Sequence, residues 1–164
     1  MERVVKMDSN KKTIIVFSGD LDKAMASLII ANGAAAMGNE VTMFFTFWGL
    51  NILRRPEKVS TRKSILEALF GWMMPRGAGK LGLSKMNFGG MGAFMMKIII
   101  KQKNVSTVHE LLESARDLGV RLIACTMSMD VMGLKAEELI DGLEYAGVAT
   151  YLGAADEASV NLFI

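Results

Sequence analysis

Cysteine and histidine are almost missing from these 164 residues, with one of each. A lone cysteine excludes an intrachain disulfide framework and a Cys-x-x-Cys redox pair. With a single histidine beside it, a Cys/His zinc site within one chain is excluded as well, and nothing in the sequence calls for a metal or a cofactor. An excess of either charge is also missing. Nineteen Lys and Arg against 17 Asp and Glu leave a net charge of +2 with no polybasic tail, so nucleic acid is not an expected partner. Neither G-x-G-x-x-G nor G-x-x-x-x-G-K-[ST] occurs, so dinucleotide and Walker-type phosphate binding lack their signatures. The opening MERVVKMDSNKK has no apolar core of a signal peptide, which makes the expected location cytoplasmic. No apolar run reaches the roughly 20 residues of a membrane span. Met86–Ile100 comes nearest, but it is glycine-rich and interrupted by Lys97; contact of 86–100 with a membrane surface stays open.

What the chain does have is apolar content. Hydrophobic residues make up 51% and mean hydropathy is +0.31, which disfavours disorder. The length suits one domain over 1–164, with a polar leader at 1–11. Thr13–Phe17 reads as a buried strand, and Ser18-Gly19-Asp20 as a turn with Asp20 at the N-cap. Leu21–Met37 reads as a helix, Gly38 as its left-handed terminator, and Val41–Thr46 as a second strand. That is a βαβ unit with a right-handed crossover. Ser18, Gly19 and Asp20 either bind an anion on the helix amides or simply form the turn. Phe47 and Trp48, at the end of the second strand, either line a pocket there or pack. Asn51–Lys58, with Arg54, Arg55 and Pro56, reads as an exposed turn, and Lys63–Phe70 as a short helix.

Residues 71–96 form a Gly/Met-rich excursion that holds six of the fourteen methionines. Such a segment covers a site, joins subunits or closes over its own core. Ala93–Ile100 reads as helical. Thr107 and Glu110 form a capping box for the next helix, whose stripe is Leu111, Leu112, Ala115 and Leu118, ended by Gly119. His109, in its first turn, has no carboxylate partner at useful spacing and reads as solvated. Lys135–Ile140 reads as a helix, Gly142–Tyr145 as extended, Val148–Glu157 as a helix and Val160–Ile164 as a final paired strand. The class is α/β: a three-layer α/β/α sandwich with a mostly parallel sheet of about five strands.

The stretch that organises the rest is Val120–Gly133, VRLIACTMSMDVMG. An apolar run enters Cys125, and Thr126-Met127-Ser128 leads away from it. This places the thiol where a buried strand stops and a helix begins, at the edge where open α/β sheets bind ligands. Amides at a helix start favour a thiolate, and the Thr126 and Ser128 hydroxyls add donors. Asp130 would oppose a thiolate if turned inward; its expected role is to cap or solvate the following turn. Free cysteine is also among the most buried residue types, so a packing role for Cys125 competes.

The segments VFSGDLDKAMASLIIANGAAAMGNEVTMFFTFWGL, MNFGGMGAFMMK, LIACTMSMDVMG and GVATYLGAADEASVNLFI together resemble the DsrE/DsrF-like superfamily, over roughly Lys12 to Ile164. More narrowly they resemble its DsrE-type sulfurtransferase branch. That resemblance implies an α/β/α fold, oligomerisation, and passage of sulfane sulfur as a cysteine persulfide between donor and acceptor proteins or small thiols. The cysteine of this branch falls on Cys125. The peroxiredoxin label sometimes given to this branch has no support here, since there is neither a Thr-x-x-Cys motif nor a resolving cysteine. Three readings follow: a sulfur carrier or sulfurtransferase that uses Cys125, an assembly protein with a structural cysteine, or a nucleotide- or flavin-binding module built on Ser18-Gly19-Asp20.

Overall fold

Alternation decides which side chains face which layer. A computed structural model describes residues 9–164; most of the expected polar leader therefore lies outside the described residues. The elements are β1 (Lys11–Val16), α1 (Leu21–Ala36), β2 (Glu40–Phe45), α2 (Ile65–Met73), α3 (Met91–Gln102), α4 (Val108–Asp117), β3 (Arg121–Cys125), α5 (Thr126–Met132), β4 (Glu144–Ala146), α6 (Val148–Glu157) and β5 (Val160–Phe163). The five strands are all parallel, in the order β4-β3-β2-β1-β5. Ile14, Val16, Met43, Phe45, Leu122 and Ala124 point to one face, and Ile15, Phe44, Ile123 and Cys125 to the other. Central strands buried on both faces read as nearly unbroken apolar runs, as these do.

The two outer layers are very unequal, and strand order explains why. From β1 through β4 each crossover steps in the same direction across the sheet. Right-handed crossovers that step one way lay their helices on one face. Accordingly α1, α4 and α5 bury Leu28, Ala31, Leu112, Ala115, Met129 and Met132 against the same large core. The last connection, from β4 back to β5, steps the opposite way and carries α6 to the other face. There α6 contributes Tyr151 and the part-buried Ala155 to a small cluster with Phe44, Ile123 and Cys125.

Local signals account for the element ends. Gly38 (φ 83°) and Gly119 (φ 76°) follow α1 and α4 in the left-handed region, where a side chain costs about 1 kcal/mol. The Thr107/Glu110 capping box is present, and Ser64 and Glu67 form a second one at α2. Asp20 occupies the N-cap position of α1, yet its carboxylate does not cap. It accepts instead from Ser18 Oγ at 2.8 Å and pairs with Lys23 Nζ at 3.0 Å. The Leu21 amide donates to the Gly82 carbonyl at 2.7 Å.

Three expectations need correction. Phe47–Trp48 does not prolong β2; Phe47–Leu53 is a 3-10 turn, entered through a positive φ at Phe47. Asn51 and Arg54 are not in an exposed turn but are buried, because Glu138 and the carbonyls that end α2 draw the guanidinium inward. Lys135–Ile140 is not a helix beyond one 3-10 turn at Ala136–Glu138. Leu139 instead bridges Arg54 in antiparallel fashion, and the Ile140 amide donates to the Leu53 carbonyl.

Candidate functional site

Cys125 is the last residue of β3 and the N-cap of α5. Adjacent strands whose outgoing connections leave to opposite faces open a crevice at their carboxyl ends, and ligands of open α/β sheets bind there. The connection leaving β3 goes to the face of α1, and the one leaving β4 goes to the face of α6. Cys125 is paired in register with Ala146, the last residue of β4. The one thiol of the chain therefore stands at the topological switch point of the sheet.

Cys125 is 2% exposed. Its neighbours on that face are Ile123, Phe44 and Tyr151, with Ile15, Ala146 and Ala155 part-buried around them. The Tyr151 and Phe44 rings lie 5.2 Å apart between centroids. Tyr151 is the only α6 side chain that is fully buried, while Val148 and Leu152 are more than half exposed. Tyr151 is thus the buried side chain that α6 contributes to the small cluster holding Cys125.

The residues after Cys125 divide. Thr126 and Met127 are exposed, and so is Asp130. Ser128 is fully buried, and its Oγ lies 2.7 Å from Thr46 Oγ1, which ties α5 to the end of β2. Its hydroxyl is therefore engaged with Thr46. The first amides of α5 have no acceptor within their own helix, as at any helix start.

Four of the five pocket candidates meet at the end of β1. Ser18, Gly19, Asp20 and Trp48 line a cavity of about 340 Å³ together with Phe17, Asn51 and others. Phe47 is not part of that lining; its ring packs on Phe17, 5.5 Å between centroids. Glycine is required at position 19, since a Cβ would stand 2.6 Å from the Trp48 carbonyl oxygen. The excursion at 71–96 is mixed. Met74, Leu81 and Ala93 are buried in the protein's own core, whereas Trp72, Met73, Met86, Phe88, Met91 and Phe94 are exposed. Among the described residues no helix is long and apolar enough to cross a membrane, and no group of three or more potential metal ligands occurs.

The sequence does not single out Tyr151 and Phe44 as members of the buried cluster that holds Cys125. Strand alternation signals Phe44, whereas choosing Tyr151 requires knowing which face α6 crosses. Nor does the sequence point to the buried pairing of Arg54 with Glu138, for which nothing in the spacing gives a signal.

The chain matches known proteins over most of its length. The model of the DsrE/DsrF/DrsH-like family matches residues 9–163. An uncharacterized protein, YrkE of Bacillus subtilis, is 58% identical over 156 residues, which is 95% of this chain and 98% of that protein. The sulfur carrier protein DsrE2 of Allochromatium vinosum is 38% identical over 162 residues, covering 96% of this chain and all of that one. Among solved structures, the crystal structure of the ychN protein from E. coli superposes with a TM-score of 0.57 at 14% identity, covering 94% of this chain and 99% of that one. At that identity the likeness concerns the fold alone.

Proposed function

The chain belongs to the DsrE/DsrF/DrsH-like family, and from that premise we propose that it is a sulfur-trafficking protein that carries sulfane sulfur on Cys125. The carrying observation is the position of its one thiol, at the switch point of the sheet, in a chain 38% identical to a protein named as a sulfur carrier. In the loading step the Cys125 thiolate attacks the outer sulfur of a donor persulfide, R–S–SH. A new S–S bond forms, the donor S–S bond breaks, and the donor leaves as R–S⁻. In the unloading step an acceptor thiolate attacks the outer sulfur and Cys125 departs as thiolate. One cysteine per chain suffices, because the second thiol belongs to the donor or the acceptor. The backbone amides of Thr126, Met127 and Ser128 at the start of α5 supply dipoles for the anionic forms, and the exposed Thr126 hydroxyl adds a donor. Cys125 is 2% exposed, so access to it requires a local opening of the cluster it shares with Phe44, Ile123 and Tyr151.

Donor and acceptor partners are thiol proteins or small thiols. The exposed apolar side chains of α2 and α3, among them Leu66, Trp72, Met73 and Phe94, support assembly with further copies, since patches of this kind mark interaction sites. A second reading rests on the burial of the thiol: Cys125 is packing, and the chain is an assembly protein. Intact-mass analysis separates the two. Reduced protein treated with polysulfide should gain about 32 Da, the mass of one sulfur added on the persulfide rung, and Cys125→Ser should not. Absence of the adduct, or its persistence in the variant, overturns the carrier reading.

A further inference from the structure

Away from Cys125, three cations converge on one buried carboxylate. Arg54 Nη2 lies 3.7 Å and Arg76 Nη2 3.4 Å from Glu138 Oε1, and Lys63 Nζ contacts Oε2. The side chains of Arg54 and Glu138 are 0% and 2% exposed, and that of Lys63 is 8%. Burying a charge is costly unless it is paired, and here one carboxylate answers three cations. Part of the excess is met by α2. Arg54 donates to the carbonyls of Gly71, Met74 and Pro75 near the negative end of that helix. The Arg54 Nε–H remains buried with no hydrogen-bond partner. Burial first, and repulsion from Arg76 second, push the guanidinium of Arg54 below its ordinary pKa, against the attraction of Glu138. The carboxyl of Glu138 is pushed up by burial, but the Lys63 hydrogen bond, the Lys135 amide and the nearby cations more than offset this and hold it below its ordinary value.

The uncompensated charge borders an open space. A cavity of about 340 Å³ is lined by Lys58, Ser60, Thr61, Lys63, Trp72 and Arg76, among others, with Glu138 in its wall. The backbone holds this arrangement in place. Gly77 sits at φ 80°, where a Cβ would come 2.8 Å from the Arg54 carbonyl oxygen, so the turn after Arg76 can close tightly against the Arg54 segment. Lys63 Nζ lies over Gly71, 3.6 Å from where a Cβ would be. Glu67 lies near enough to Lys63 to feel its charge, but its carboxylate accepts from the Ser64 amide and it is not part of the cavity lining.

We propose that this cavity is a binding site for a small divalent oxyanion of the sulfate, thiosulfate or phosphate class, held by Arg76, Lys63 and Lys58 with the Ser60 and Thr61 hydroxyls as further donors. Guanidinium and ammonium groups beside hydroxyls match the acceptor oxygens of such an anion. The bound charge would complete the pairing that Glu138 alone leaves short. The site goes beyond the carrier reading and does not depend on it.

Isothermal titration of the intact protein with sulfate, thiosulfate and phosphate, against chloride at matched ionic strength, tests the proposal. One-to-one saturable binding of at least one of the three anions is expected, and their ranking identifies whether the natural ligand is a sulfur or a phosphorus oxyanion. Lys58→Gln, at an exposed position outside the Glu138 contacts, and Arg76→Gln should each weaken binding roughly tenfold, the loss of one charge-assisted hydrogen bond. Cys125→Ser should leave it unchanged, which keeps this outcome apart from the fate of the carrier reading. No saturable heat with any of the three anions, or affinity unchanged in both variants, overturns the proposal.

Discussion

Tyr151 should set how fast Cys125 reacts. The ring is 6% exposed and lies in one cluster with the sulfur, and no other α6 side chain is fully buried. Burial of one large apolar side chain contributes about 1.5–3 kcal/mol. With the part-buried Ala155 and the helix ends added, lifting α6 costs on the order of 2–4 kcal/mol. That free energy corresponds to a thiol alkylated roughly 30- to 1,000-fold more slowly than a free one. Tyr151→Ala removes the one buried side chain by which α6 joins the cluster of Cys125, so iodoacetamide labelling should accelerate by about one to two orders of magnitude. Tyr151→Phe keeps the ring and loses only a marginal 3.5 Å contact between its hydroxyl and Thr13 Oγ1; its labelling should match the parent. The assay is the rate of mass gain near neutral pH, with urea denaturation of each variant run in parallel to separate local opening from global unfolding. Two results would refute the reasoning. One is parent labelling as slow as global unfolding allows, which makes Cys125 a core residue. The other is equal rates in the parent and Tyr151→Ala, which separates the seating of α6 from access to the thiol.

Removing the carboxylate in Glu138→Gln leaves Arg54, Lys63 and Arg76 facing one another, and loss of one partner from a buried pair costs about 3–5 kcal/mol; urea midpoints at pH 7 check it. Because the folded carboxyl of Glu138 titrates below its ordinary value, its contribution is fully present above the unfolded value of about 4.3 and is lost as pH falls through the folded one. The stability gap between parent and variant should therefore narrow only in acid, and a gap constant down to pH 3 would contradict that assignment. Gly19→Ala would drive a Cβ to 2.6 Å from the Trp48 carbonyl oxygen. It should cost about 1–3 kcal/mol through displaced backbone, read as a lowered Tm; an unchanged Tm would mean the turn yields freely.

How much of this was legible in the residues differs from element to element. The five strands, the capping box at Thr107 and the terminators Gly38 and Gly119 follow from local patterning, because strand period, cap hydrogen bonds and positive φ are set within a few neighbouring residues. The position of Cys125 at a strand end was legible for the same reason. Its buried neighbours were not. Whether Tyr151 joins the cluster of Cys125 depends on which face α6 crosses, and that depends on β5 returning to the far side of β1. Arg54 misled for a similar reason: Arg-Arg-Pro reads as surface unless Glu138, far along the chain, stands opposite.

The sequence by itself determined the layers, the strand that delivers the thiol and the small polar residues after it, since each is a matter of local periodicity and chemistry. Only the tertiary structure decided that the thiol lies at the switch point in one buried cluster with Phe44 and Tyr151, and that three cations share one carboxylate beside an open cavity. Both depend on strand order and on contacts between residues remote in the chain, which local preference does not encode.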